Sequence, residues 1–194
     1  MRNTHWDWLL LALLLPALSG CVALVATGVV TGVGTGLAVS ADRRTSGTFI
    51  EDEGIELQSI ASISEKLGSA VHVNVTSFNR NMLLTGEVPT EVLKKEVENL
   101  VKNIDRVRNI TNEITIANVS SLISRSNDTL ITTKVKGRFL DSGRFQMNHV
   151  KVVTENGAVY LLGLVKQKEA ASAAEIASST NGVLKVVKVF EYLD

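Results

Sequence analysis

Hydrophobic and polar positions divide the chain into three regions. Leu9 to Leu18 is an apolar run, and Val22 to Ala41 is a second, uncharged stretch rich in Val, Ala, Gly and Thr. Beyond Asp42 the pattern becomes periodic. Ile60, Ile63 and Leu67 stand at helical spacing within Glu51 to Leu67. Val71-His72-Val73-Asn74-Val75-Thr76 alternates apolar and polar, which predicts a strand with one wet face. A short polar turn, Asn79-Arg80-Asn81, leads to a second strand from Met82 to Val88 and closes a hairpin. Pro89-Thr90 opens a helix with Leu93, Val97, Leu100, Val101 and Ile104 as its apolar stripe. A third strand is expected from about Val107 to Ile116.

The same order recurs in the second half. Asn127-Asp128 is predicted to cap a helix bearing Ile131, Val135 and Phe139, and Asn156-Gly157 is a hairpin turn. Gln167 to Thr180 is an Ala-rich helix stopped by Asn181-Gly182, with Ala170, Ala174 and Ala177 facing its sheet. Val73-x-Val75 aligns with Val150-x-Val152. Leu84-Thr85-Gly86-Glu87-Val88 aligns with Leu161-Leu162-Gly163-Leu164-Val165, and Val107 with Val183. The body is thus two copies of one small domain. In each, the hairpin strands are antiparallel, and the helix between the second and third strands makes those two parallel by a right-handed crossover. The expected class is α+β: two tandem αββαβ domains, each a three-stranded mixed sheet with two helices on one face. Gly86 and Gly163 read as points of close backbone approach to a packing helix.

The sheet faces turned away from the helices differ between copies. In the first, His72, Asn74, Thr76, Thr85 and Glu87 make that face polar, and it reads as solvated. In the second, Val153, Tyr160, Leu162 and Leu164, joined by Val187 and Val189, make it apolar. A sheet apolar on both faces has to be covered, here by the first copy or by a partner. On the first helix of copy two, Leu130 lies off the core stripe beside Lys134, with Lys136 and Arg138 adding charge. An exposed apolar residue among basic groups suits the headgroup boundary of an anionic bilayer.

Composition narrows the chemistry. The chain has 194 residues and a formal net charge of +0, which argues against a nucleic-acid partner. Cys21 is the single cysteine, so no intramolecular disulfide forms. It ends Leu18-Ser19-Gly20-Cys21, a lipobox behind the apolar run, so cleavage before Cys21 and acylation of its thiol are expected. Residues 1–20 are then a lipoprotein signal peptide, 21–47 a lipidated tether, 48–118 the first domain and 119–194 the second. Val22, rather than Asp, after the cysteine points to the outer membrane. Gly28, Gly32 and Gly36 sit four apart in the tether, which reads as flexible or membrane-hugging, with a true span as the alternative. Enzyme signatures are missing. No His, Cys and Asp residues share metal-ligand spacing, no serine sits in a Gly-x-Ser-x-Gly elbow, and no cofactor motif is present. His72 alternates with core valines and is expected to be exposed.

Two αββαβ copies behind a lipobox, each with an apolar-x-Gly-x-Val strand, resemble paired BON domains. The runs Ser126-Asn127-Asp128-Thr129-Leu130-Ile131-Thr132-Thr133-Lys134-Val135 and Val150-Lys151-Val152-Val153-Thr154-Glu155-Asn156-Gly157 are similar to those of proteobacterial dual-BON outer-membrane lipoproteins. The resemblance implies a non-enzymatic periplasmic domain pair that binds anionic phospholipid, phosphatidylglycerol or cardiolipin, and supports envelope integrity. It adds Lys166 and Lys168, near the start of the second helix of copy two, to the lipid-binding candidates. The alternative is an adaptor that recruits an outer-membrane assembly or division protein.

Overall fold

The computed structural model describes residues 42–118 and 122–194. The signal peptide, Cys21 and the tether as far as Ala41 lie outside the described residues. No helix among the described residues is long and apolar enough to cross a membrane.

Helix α1 spans Ser46–Leu67 and starts earlier than the apolar spacing marks. The Thr45 hydroxyl caps it by accepting the Thr48 N–H at 3.1 Å. The buried stripe is Asp52, Ile55, Ser59 and Ile63, whereas Ile60 is 49% exposed. Two polar residues therefore hold core positions that an apolar count skips. Ser59 satisfies its hydroxyl on the Ile55 carbonyl at 2.7 Å. Strands β1 (His72–Phe78) and β2 (Asn81–Val88) form the hairpin, with positive φ at both Asn79 and Arg80. After α2 (Glu91–Lys102), the chain returns parallel to β2 as β3 (Asn109–Asn112) and β4 (Thr115–Ile116). That third strand is broken where Ile114 turns into the core. Its N–H is taken by the Asn112 side chain, while the Glu113 N–H still reaches the Leu84 carbonyl.

The second domain repeats the order with α3 (Leu122–Ser142), β5 (Val150–Glu155), β6 (Ala158–Val165), α4 (Gln167–Ser178) and an unbroken β7 (Lys185–Tyr192). Ile131, Val135 and Phe139 face the core as their spacing predicts. Asn127 and Asp128 do not cap α3, which begins at Leu122. Asp128 instead accepts the N–H groups of Asn156 and Gly157, both at 2.8 Å, and holds the β5–β6 turn. Asp52 does the same for Asn79 and Arg80 in the first domain, at 2.8 and 2.7 Å. A buried aspartate on the first helix is thus a duplicated device that pays for the left-handed backbone of each turn.

Each domain has a core between its helices and its sheet. A third apolar cluster joins Phe78 and Leu83 of the first sheet to Tyr160 and Leu162 of the second, with Val153, Leu164, Val187 and Val189 packed around them. The two sheets stack through the faces turned away from their helices, giving four layers in the order α/β/β/α. The polar face of the first sheet is consequently solvated only in part: Thr76, Thr85 and Glu87 are buried, while Asn74 is exposed. Gly86 and Gly163 are sites of close approach, but to the backbone at the start of the neighbouring hairpin strand rather than to a packing α-helix. A Cβ would lie 2.1 Å from the His72 carbonyl oxygen at Gly86, and 2.3 Å from that of His149 at Gly163.

Candidate functional site

Residues 42–45 are bound to the folded body by two adjacent arginines. Arg44 is buried, with its guanidinium 4.0 Å from the Phe78 ring centroid and hydrogen-bonded to Asp42 at 2.7 Å and Asp52 at 2.8 Å. It fixes the strap to the first domain. Arg43 reaches the second, donating to both Glu169 oxygens at 2.6 and 2.8 Å and to the Leu164 carbonyl at 2.8 Å. Glu169 also accepts the Lys166 N–H at 2.8 Å, which closes the first turn of α4. The Arg43 hydrogen bonds hold the Glu169 carboxyl down at about 2. Beside it, burial and the Arg43 charge push the His149 imidazole below its usual value.

Glu169 separates two clefts. One, of about 530 Å³, is lined by Arg144, Lys166, Lys168, Glu169 and Ser172. The other, of about 500 Å³, holds Arg43 with the apolar Leu140, Phe145 and Met147. Lys166 and Lys168 are exposed and pair with no carboxylate among the described residues. Leu130, Lys134 and Lys136 do not line these clefts. They lie on the outer face of α3, where Leu130 is 59% exposed. Leu140, at 68%, shares that face through the helical spacing Leu130, Thr133, Gly137, Leu140, with Lys134 and Lys136 flanking it on opposite sides. Helical spacing puts Leu140 opposite the Val135–Phe139 side of the helix, a signal present in the sequence alone.

Val153, Tyr160, Leu162 and Leu164 all lie in the seam between the sheets. Burial there pushes the Tyr160 phenol up to about 12. Polar pairs ring this apolar centre. Asn79 and Asn81 both donate to Glu191, and Lys151 reaches Glu56 at 2.8 Å. At the other end Asn74 donates to Glu155 at 2.7 Å, Thr85 to the same oxygen at 3.4 Å, and Asn156 to Glu87. Burial raises the Glu155 carboxyl above its ordinary value, the Asn74 bond opposes this, and the like charge of Glu87 adds to it. His72 is half-buried rather than exposed, and its Nε2 is shut off from solvent without a hydrogen-bond partner. His72, Glu87 and Glu155 each place one ligand-type atom within 4.8 Å of the others. Linear spacing could not show this group, because strands from two domains assemble it.

The BON domain profile matches residues 55–118 and 127–194. The chain is 40% identical over 189 residues to the outer membrane lipoprotein DolP of Haemophilus influenzae, covering 95% of this chain and 96% of that one. It is 34% identical over 154 residues to the 21 kDa hemolysin of Actinobacillus pleuropneumoniae, covering 78% and 79% of the two chains. Similarity to the osmotically-inducible protein Y of Escherichia coli is 24% over 160 residues, 80% of each chain. Two matched domains and a full-length relative make this chain a DolP-like, dual-domain member of the BON-domain family.

Proposed function

We propose that this is a non-enzymatic lipoprotein, anchored through acylated Cys21 to the outer membrane and facing the periplasm. Its second BON domain docks on anionic phospholipid. The name of the Haemophilus relative supports the location, and the lipobox supports the anchor. The observation that carries the docking reading is the outer face of α3, where Leu130 and Leu140 stand exposed beside Lys134 and Lys136. Arg43 ties the start of the described chain to Glu169, beside the cleft lined by Arg144, Lys166 and Lys168. In this reading α3 and α4 of the second domain meet the headgroups. Lys134, Lys136, Lys166 and Lys168 supply positive charge with no carboxylate partner among the described residues, and Leu130 and Leu140 supply apolar contact. In this reading the first domain holds the second through the seam, and the pair supports outer-membrane integrity.

The test is co-sedimentation of residues 42–194 with vesicles containing phosphatidylglycerol or cardiolipin. Binding that weakens with salt and is lost in Lys166→Glu/Lys168→Glu is expected. Binding unchanged by this reversal and by Lys134→Glu/Lys136→Glu would sink the docking reading and favour an envelope adaptor.

A further inference from the structure

We infer that the outer face of α1, in the first domain, docks an amphipathic helix of a partner protein, one with an apolar seam and basic flanks. A surface helix is expected to turn charged and polar residues away from its core. Along one line α1 does the reverse. Its core side is Asp52, Ile55, Ser59 and Ile63. Opposite them run Ile50, Gly54, Leu57 and Ala61, which follow at the a/d spacing of a heptad and carry no charge. Ile50 is 71% exposed and Leu57 67%, with Ile60 beside them at 49%.

Gly54 adds an independent sign. Glycine weakens a helix interior. A Cβ here would meet nothing within 4 Å and the backbone is helical, so neither packing inside the chain nor conformation calls for a glycine. A helix laid along the stripe would use the gap, because the side chains at a helix crossing set how closely the axes approach. A cleft of about 350 Å³ opens at this point, between Ile50, Gly54 and Gln58 of α1 and Asp105 and Arg106 of the α2–β3 loop, and can take an apolar side chain of the partner. Arg106 brings no unpaired charge to it, since Glu51 holds its guanidinium at 2.7 Å.

Charge selects the occupant. Glu53 and Glu65 flank the stripe, are exposed, and pair with no base among the described residues. An anionic bilayer repels them. A second copy would bring the same acids to the seam, because Lys66, the single base of α1, lies on the opposite side of the helix. Lysine or arginine on the flanks of a foreign helix would pair with both. The duplication marks the same division. Counted from the turn-holding Asp52 and Asp128, Gln58 and Ile60 of α1 stand where α3 has Lys134 and Lys136. In this assignment the duplicated helix meets lipid in one copy and protein in the other.

The test uses the lipidated chain in phosphatidylcholine nanodiscs and two fluorescent synthetic helices with the same Leu and Ala seam, one flanked by lysines and one by glutamates. Anisotropy, corrected for empty nanodiscs, should show the lysine-flanked helix binding about tenfold more tightly or better, with the difference shrinking as salt rises. Leu57→Lys and Gly54→Leu should each weaken that binding by about tenfold or more without lowering Tm, because both positions are exposed. Glu53→Lys/Glu65→Lys should invert the preference between the two helices. Equal binding of both helices, or binding untouched by Leu57→Lys and Gly54→Leu, overturns the assignment. So does a dimer of the chain in detergent that Leu57→Lys dissolves, which would give the face to a second copy.

Discussion

Leu161 and Leu162 are neighbours on β6 that serve different cores, and truncating each separates domain stability from domain coupling. Leu161 is in the helix-side core of the second domain. Leu162, 1% exposed, packs in the seam cluster with Phe78 and Leu83 of the first domain. Successive strand residues point to opposite faces, so the same substitution one position apart probes the two sides of one sheet. A buried Leu→Ala change costs about 3–5 kcal/mol, made up of lost transfer energy and the cavity left behind. At about 2–4 °C per kcal/mol for a chain of this size, either variant should lower Tm by roughly 6–20 °C. They should differ in native-state hydrogen exchange. Leu162→Ala removes a wall from Leu83, so β1 and β2 amides of the first domain should exchange about tenfold faster or more, corresponding to about 1.4 kcal/mol of lost coupling. Leu161→Ala should accelerate the second domain and leave β1 and β2 near wild type. Wild-type exchange of β1 and β2 in Leu162→Ala would refute the claim that the seam couples the domains.

Two further outcomes follow from single contacts. Asp128→Ala removes a carboxylate that accepts two turn N–H groups at 2.8 Å, and should cost about 2–4 kcal/mol in chemical denaturation, with Asp128→Asn recovering only part. Glu169 has a depressed pKa of about 2, so its bond to Arg43 stabilises the fold above the usual carboxylate range and loses that contribution as pH falls toward 2. Carboxyl NMR titration should show Glu169 ionising near 2 in the wild type and markedly higher in Arg43→Ala, whose stability deficit should shrink in acid.

Much of this fold is local and was readable from the chain. The β5–β6 turn needs two left-handed residues, which Asn156-Gly157 advertises, and the Ile131, Val135 and Phe139 stripe repeats at helical period. What was not readable depends on a second element. Thr76, Thr85 and Glu87 look like solvent residues because they are polar, yet the cover over them belongs to the other domain, and polar partners there make their burial tolerable. Asp52 and Asp128 serve hairpin turns far along the chain, so helical periodicity marks neither role, and Asp128 reads as a helix cap. Lys166 and Lys168 were visible as charge, but the Arg43–Glu169 contact beside them joins residues 126 apart in the chain.

The most direct test of membrane docking is a depth measurement on the lipidated protein reconstituted in vesicles containing phosphatidylglycerol. Cys21 is acylated in this account, so a cysteine introduced for Leu140 on α3, or for Val92 on the first domain's α2, can carry a single fluorophore. Quenching by brominated acyl chains should be strong at position 140 and absent at position 92. Equal quenching at both, or none at either, would contradict an orientation in which the second domain meets the bilayer.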